Sequence, residues 1–433
     1  MLFREPDRTL PFAAALGGVA IALSLPTAAL ANNGLNLIGF GAESTAMGGA
    51  DIGLARDTSA LNTNPAGLAS LRNLTVDQYI ATSYNLDNSH ADRFGNNQRS
   101  SKRFAWLLGG GIAAPLGATA LTIGVGLFVQ GGAGASYRNL HTAFGTDDDV
   151  SAAFGIVRLT PGIAWQVTER WRVGLAAGLV GATGIQRVFP GTSVTAPAGA
   201  FFGAQIDGLQ SQRFGARLGA QYAVTPTLTI GAAYAMQVNL PLSNGRLTAN
   251  MSAIGLGNVR YSDVRLSGLA TPREVGLGAA WQLTDRTLLS IEASWLNWSR
   301  ALRTQRLVAR NPDNSAAPAE IDQTVRLDWR NQWVFAVGMA QAINDTTTIY
   351  AGINLGRNPI PRETLNPLLA PIGDKHLTFG LAHHLARGWR VSSSLEWQLP
   401  ARVRYENPQS PFGAGAQERI GYLALLLQLT KQW

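Results

Sequence analysis

Cysteine is absent from the 433 residues, and charge is scarce: Asp, Glu, Lys and Arg together make up 14% of the chain, against about 25% in an ordinary soluble protein. The first absence excludes a disulfide-stapled fold, so stability must come from hydrogen bonding and packing. The second argues against the two or three soluble domains that this length would suggest. Also missing, beyond the amino-terminal segment, is an apolar run fit for a transmembrane helix. The nearest approach is the uncharged stretch Trp106–Gly134, which carries nine glycines and Pro115. Such a composition cripples a helix, and the stretch reads as two strands joined at Pro115–Gly117.

Catalytic and cofactor signals are missing too. There is no G-x-S-x-G elbow, the five histidines show no ligand spacing, and no Ser/His/Asp set can be picked out. His383 and His384 are adjacent and would point to opposite faces of a strand. The glycines of "GVGLFVQGG" lack the context of a nucleotide-binding turn. The chain is therefore read as no enzyme, without metal or cofactor. The surplus of base, 35 Lys and Arg against 27 Asp and Glu, includes no basic run interleaved with aromatics and so points away from nucleic acid. It suits contact with anionic outer-membrane lipid and lipopolysaccharide.

What is present begins with a leader. Arg4 and Arg8 precede an almost uncharged run that closes on Ala29-Leu30-Ala31, the pattern of a secretory signal peptide. Residues 1–31 are assigned to it.

From Leu74 onward the dominant signal is a period of two. In the last segment Leu423, Leu425, Leu427 and Leu429 form one face, and Tyr422, Ala424, Leu426, Gln428 and Thr430 the other. A tilted strand needs only about nine to eleven residues to cross a bilayer. The same alternation recurs around Leu121–Val129, Val173–Leu179, Leu228–Val238, Val275–Leu283, Trp333–Met339 and Leu377–Leu381. The polar face of a soluble sandwich would be rich in Lys, Glu and Asp. Here the second face is mostly Gly, Ala, Thr and Gln, as in a wall with lipid outside and an enclosed interior. Short connections, at Pro115–Gly117, Thr168–Arg170, Thr225–Thr227, Thr284–Arg286, Asn344–Thr346 and Ala386–Gly388, alternate with long ones at 139–151, 189–210, 241–270, 301–324, 357–373 and 404–417. The expected fold is all-β: a transmembrane antiparallel barrel of about fourteen strands, closed because no water satisfies an edge in lipid. Trp165, Trp171, Trp281, Trp389 and Trp433 fall beside short turns, and Trp295, Trp333 and Trp397 near long loops, giving two interfacial belts. The final strand is the expected contact for the barrel assembly machinery, and the barrel is expected to be a monomer.

Residues 32–73 do not alternate. They are small, too apolar and too poor in charge for a disordered tail, and contain a short helix near Glu43–Gly48 and a turn at Asn64-Pro65. An interior plug fits, with the barrel proper at 74–433. The "NPA" of Asn64-Pro65-Ala66 follows this small-residue segment. Together with "TPREVGLGAAWQLTDRTLLSIEASWLNWSR" from Thr271 and "PRETLNPLLAPIGDKHLTFGLAHHL" from Pro361, it resembles the FadL-type outer membrane transporters, including the TodX-like hydrocarbon channels. That resemblance implies a fourteen-stranded barrel plugged by an amino-terminal hatch, with ligand capture in an outer groove, lumenal binding, a hatch shift and sideways exit through the wall. Asn64, Pro65, Ala66 and Gly67 are then the hatch or gating residues. No sequence feature fixes where the wall would open.

Parity aims Leu107, Phe128, Phe154, Ile156, Leu288, Leu296, Trp298, Tyr350 and Leu426 inward as an apolar lining, which a long acyl chain needs because each buried methylene is worth about 0.8 kcal/mol. Phe189, Phe201, Phe202 and Leu209, in a stretch unusually apolar for an external loop, form a candidate capture groove; the alternative is that they pack the loop onto the rim. Arg158, Arg273 and Arg326 are candidates for binding a carboxylate, the alternative being wall charge paired with residues such as Glu292. The expected function is passive uptake of hydrophobic compounds, long-chain fatty acids first and aromatic hydrocarbons second. A nonspecific porin, which the plug and apolar lumen disfavour, or a barrel-anchored adhesin, which the modest loops disfavour, are the alternatives from other classes.

Overall fold

A computed structural model describes residues 33–433, apart from 55, 197 and 198. The proposed leader lies outside the described residues. Fourteen strands form one closed antiparallel barrel. They are β1 (Thr75–Asn85), β2 (Phe104–Pro115), β3 (Leu121–His141), β4 (Asp147–Gln166), β5 (Trp171–Ala196), β6 (Gly199–Ala223) and β7 (Leu228–Ala235). The circuit continues with β8 (Glu274–Thr284), β9 (Thr287–Leu296), β10 (Gln332–Ala342), β11 (Thr347–Gly356), β12 (Lys375–His384), β13 (Trp389–Glu406) and β14 (Ala414–Gln432). Closure is made by β1 on β14, in register from Thr75↔Gln432 to Asn85↔Tyr422.

The two faces of β14 show why the chain folds this way. Leu425, Leu427 and Leu429 are 44–48% exposed, whereas Ala424, Leu426, Gln428 and Thr430 are at most 5% exposed. The leucines form part of an outer belt of exposed apolar side chains that would be unstable in water and is at home in lipid. Trp165, Trp171, Trp281, Trp389 and Trp433 project at the end carrying the tight turns, and Trp333 and Trp397, joined by Trp106, toward the other end, whereas Trp295 is half-buried beside Trp333. These are the two belts expected of amphipathic rings.

The long connections differ from the reading of them as loops. The stretch 189–210 is mostly strand, because β5 and β6 continue outward as one hairpin, with a register break between Val188 and Ser193. Beyond the rim, Leu242–Asn250 pairs with β6, Asn258–Ser267 follows it, and Thr304–Pro312 and Glu320–Arg326 extend the same sheet. Polar alternation there gave no apolar face to recognise. Trp298 is also not a strand residue; it opens a short helix, Trp298–Ala301, after β9 has ended.

Inside the barrel lies the amino-terminal segment. Helix α1 (Ala42–Ala46) is buried throughout, and two 3-10 turns follow at Thr58–Leu61 and Pro65–Ser70. Each has its own cap: Asp57 accepts from the Ser59 amide at 2.9 Å and Asn64 from the Ala66 amide at 3.2 Å. Proline at the first position of the second turn suits it, since no amide is wanted there. Small residues on the wall let this backbone approach. A Cβ built on Gly174 would lie 2.3 Å from the Pro65 carbonyl carbon, and one on Gly352 would lie 2.4 Å from the Gly48 nitrogen. The glycine-rich inner face is thus a docking surface for the hatch.

Candidate functional site

The hatch is held by charge as well as shape. Glu43 meets Arg390 of β13 at 2.9 Å and accepts hydrogen bonds from Tyr350 and Ser392, each at 2.8 Å. Thr430 donates to Asp77 at 2.6 Å, and the other oxygen of Asp77 accepts from the Thr58 amide at 2.8 Å. Gln428 joins Asp57 and the Ala42 amide. Glu292, considered from sequence as a partner for wall arginines, instead accepts the amides of Asp51 and Ile52 at 3.0 and 3.1 Å. Asn64 is fully buried and donates to the carbonyls of Ile52, at 2.8 Å, and Ala220, at 3.1 Å. The NPA residues therefore act as a hook on β5 and β6.

Above the hatch the lumen is filled by a large apolar cluster that includes Phe154, Ile156, Leu296, Trp298, Leu240 and Tyr261. Leu107, Phe128 and Tyr350, aimed inward by parity, are inward but belong to smaller clusters pressed against the hatch. Between hatch and upper cluster lies a cavity with about 720 Å³ of space free of atoms, part of it open to solvent. Of the nine lining candidates named above, only Leu296 borders it. Its other walls include Phe40, Ile52, Arg217, Glu274, Glu292 and Val334.

Of the three arginine candidates, Arg158 lies on the buried face of β4 and Arg273 directly precedes β8. Arg158 is buried, and its Nε has no hydrogen-bond partner among the described residues. The Nε of partly buried Arg273 lacks one too. Arg326 is a correction. It stands on the external sheet, 71% exposed along its side chain, and pairs with Asp328 at 2.5 Å. Strand parity placed it wrongly because Glu320–Arg326 is not a barrel strand. Sequence reasoning missed Arg217, which meets Glu274 at 2.6 Å and lies within electrostatic reach of Arg158. The signal available was a charge on a strand face that is otherwise small or polar over Gly215, Gly219, Gln221 and Ala223.

The groove candidates also resolve. Phe189 is buried with φ +45° and packs edge-on to Phe201 and to Phe412, with ring centroids 6.1 and 5.7 Å away. Phe201 stacks on Phe144 at 4.4 Å, Phe202 packs against the upper cluster, and Leu209 lies within it. They fasten the β5–β6 extension onto the rim, the alternative reading of this stretch.

The wall is interrupted at one place that the sequence did not mark. Strands β2 and β3 pair only from Pro115↔Thr122 to Gly109↔Phe128. Backbone contact returns at the rim, where the Ser101 amide donates to the Ser136 carbonyl at 2.7 Å. Between those limits, Phe104–Leu108 of β2 and 129–135 of β3 share no backbone hydrogen bond. A bulge on β3 between Val129 and Gly131 bends the strand, as such insertions do. The hatch fills the breach: Asn36 makes an isolated bridge to Gly131, and the Leu37 amide donates to the Gln130 carbonyl at 3.1 Å. Gly131 has φ +146°, and a Cβ there would lie 1.8 Å from the Leu35 oxygen, so glycine is required on both counts.

Both the sequence and the shape of this barrel relate it to known proteins. Residues 18–392 match the family described as outer membrane protein transport protein (OMPP1/FadL/TodX). The chain belongs to that family. It is an outer membrane transport barrel. Among solved structures, the Pseudomonas putida toluene transporter TodX aligns over 92% of this chain and 99% of its own, with 19% identity and a TM-score of 0.75. The Ralstonia pickettii toluene transporter TbuX gives 92% and 99%, 20% and 0.71. A Pseudomonas aeruginosa FadL homologue gives 92% and 98%, 16% and 0.70. At these identities the likeness is one of fold. No curated protein sequence matches the chain.

Proposed function

We propose that this FadL/TodX-family barrel takes up hydrophobic amphiphiles, long-chain fatty acids first, through the lumen and out sideways between β2 and β3. The observation that carries the reading is the breach beside Gly131, where the backbone of hatch residues 35–37 stands in for the missing β2–β3 pairing. A hydrophobic solute leaving there would enter the bilayer core without crossing a hydrated exit, and a porin would have no use for such a breach. The cavity offers apolar walls from Phe40, Ile52, Leu296 and Val334 to a chain, and guanidinium groups at Arg217 and, nearby, Arg158 to a carboxylate. Charge-assisted pairing of that kind is about twice as strong as a neutral hydrogen bond.

The second reading, uptake of aromatic hydrocarbons, is favoured by the toluene transporters among the structural neighbours. A neutral ring would make no use of the positive charge at Arg217 and Arg158. The test is uptake of labelled fatty acid and labelled toluene by a deletion strain complemented with wild-type protein or with a variant lacking residues 42–66. Fatty acid uptake that depends on the intact protein supports the first reading, and restoration of toluene uptake alone supports the second. Unchanged uptake of both compounds on deletion ends the proposal.

A further inference from the structure

Glu274 sits where two structures meet. One oxygen, Oε2, is 2.6 Å from Arg217 Nη2, and the other, Oε1, accepts a hydrogen bond from Asn36 Nδ2 at 2.6 Å. Asn36 is the hatch residue whose backbone bridges Gly131 in the breach. Arg217 in turn donates through Nη1 to the Thr63 carbonyl at 3.1 Å, immediately before the Asn64-Pro65 hook. One ion pair of the wall therefore grips the hatch at the breach plug and at the hook. Arg217, Glu274, Asn36, Leu37 and Gln130 all border the same cavity. A solute in the cavity reaches the pair and the plug without passing through anything else.

From this geometry we infer that the Arg217–Glu274 pair is a latch read by the ligand's headgroup, and that it selects amphiphiles ending in a carboxylate; the inference rests on the uptake reading above. The guanidinium cluster has a vacancy in charge. Arg158 is buried with its Nε unpartnered and lies within electrostatic reach of Arg217 and Glu274, while the ion pair of Glu274 is made with Arg217. A ligand carboxylate entering there is attracted by both guanidiniums and repelled by Glu274. It takes the place of Glu274 on Arg217 Nη2, and Glu274 swings away. Asn36 then loses its side-chain acceptor, leaving the plug held by the Gly131 bridge, the Leu37 amide and the packing of Leu35 and Leu37. An alcohol of equal length has no charge with which to displace Glu274, so it would fill the cavity without releasing the plug. Linkage requires this difference: a ligand shifts the hatch only by as much as it prefers one hatch position over the other.

The absence of cysteine makes the test direct. A Leu37→Cys variant places one thiol beside the breach, and its rate of maleimide labelling in detergent reports plug release. We expect palmitate to raise that rate at least tenfold and hexadecanol to leave it within twofold. In the Glu274→Gln background the ligand-free rate should already be raised about tenfold, and in the Asn36→Ala background, which leaves every wall charge in place, likewise. The latch is overturned if hexadecanol acts as strongly as palmitate, or if both backgrounds label at the wild-type rate while remaining folded by heat-modifiable electrophoretic mobility. Should neither compound quench tryptophan fluorescence of the wild-type protein, the uptake reading fails. The latch then stands or falls on the ligand-free comparison alone.

Discussion

Replacing Gly219 with alanine should free the hatch without harming the barrel. A Cβ at this position would stand 1.9 Å from Asn64 Oδ1 and 2.9 Å from Pro65 Cδ, far inside van der Waals contact, so the hook must withdraw. Asn64 would forfeit its bonds to the Ile52 and Ala220 carbonyls and the cap on Ala66. The Ile52 oxygen keeps Gln221 at 3.1 Å, so the loss amounts to about two net hydrogen bonds, each worth about 1 kcal/mol. Overpacking adds about 1–3 kcal/mol. A total of about 4 kcal/mol corresponds to roughly a thousandfold shift in the docked–undocked equilibrium of the hatch. Gly219 itself pairs across the wall with Gly174 and Ala233, and those ladder bonds need not change. Hydrogen exchange of the amides of Ala46, Ala66 and Gly67 should accelerate by two to three decades, while barrel strands keep their protection. Gly421→Ala is the control, since its Cβ would meet nothing nearer than Pro400 at 3.4 Å. Exchange within threefold of wild type in Gly219→Ala, or faster exchange in β5 and β6 with the hatch unaffected, would refute the account of the hook.

Two further outcomes are expected. His90, on the external rim, is buried between Asp92 at 3.0 Å and Glu418 at 2.5 Å; burial alone lowers its pKa, but hydrogen bonds to both carboxylates overcome this and push it up to about 9. Because the folded value exceeds the unfolded one of about 6.5, the stabilisation, about 3 kcal/mol at most, is complete below pH 6.5 and is lost as pH rises to 9; rim amide protection, corrected for intrinsic exchange, should fall over that window and lose this dependence in His90→Gln. On β14, Leu427→Arg should cost the barrel about 2–4 kcal/mol by placing charge in lipid. The adjacent Gln428→Ala should leave barrel unfolding unchanged but loosen the hatch, since it removes the bonds to Ala42 and Asp57; equal effects of the two on barrel unfolding would contradict the assignment of faces.

The barrel was legible residue by residue because a period of two states directly which side chains meet lipid. Leu425, Leu427 and Leu429 against Ala424, Gln428 and Thr430 is such a statement, and the six tight turns follow from where the pattern stops. A plug could also be expected from the small, uncharged stretch before β1. Legibility ended where local pattern no longer decides position. Phe189 and Phe201 are apolar in either reading, and only their partners Phe144 and Phe412, distant in sequence, show that they fasten a rim. Arg326 alternates like a wall residue but belongs to a sheet outside the barrel. The breach between β2 and β3 is a property of pairing, and pairing is a relation between two strands and the hatch that stands between them. Gly131 carries the trace of it, yet a glycine in a strand has many causes. Sequence alone determined the two faces, the turns and the membrane, because solvent sorts each residue separately. Tertiary structure alone decided the hook, the breach and the Arg217–Glu274 pair, because each exists only when segments far apart in the chain come within a few ångströms.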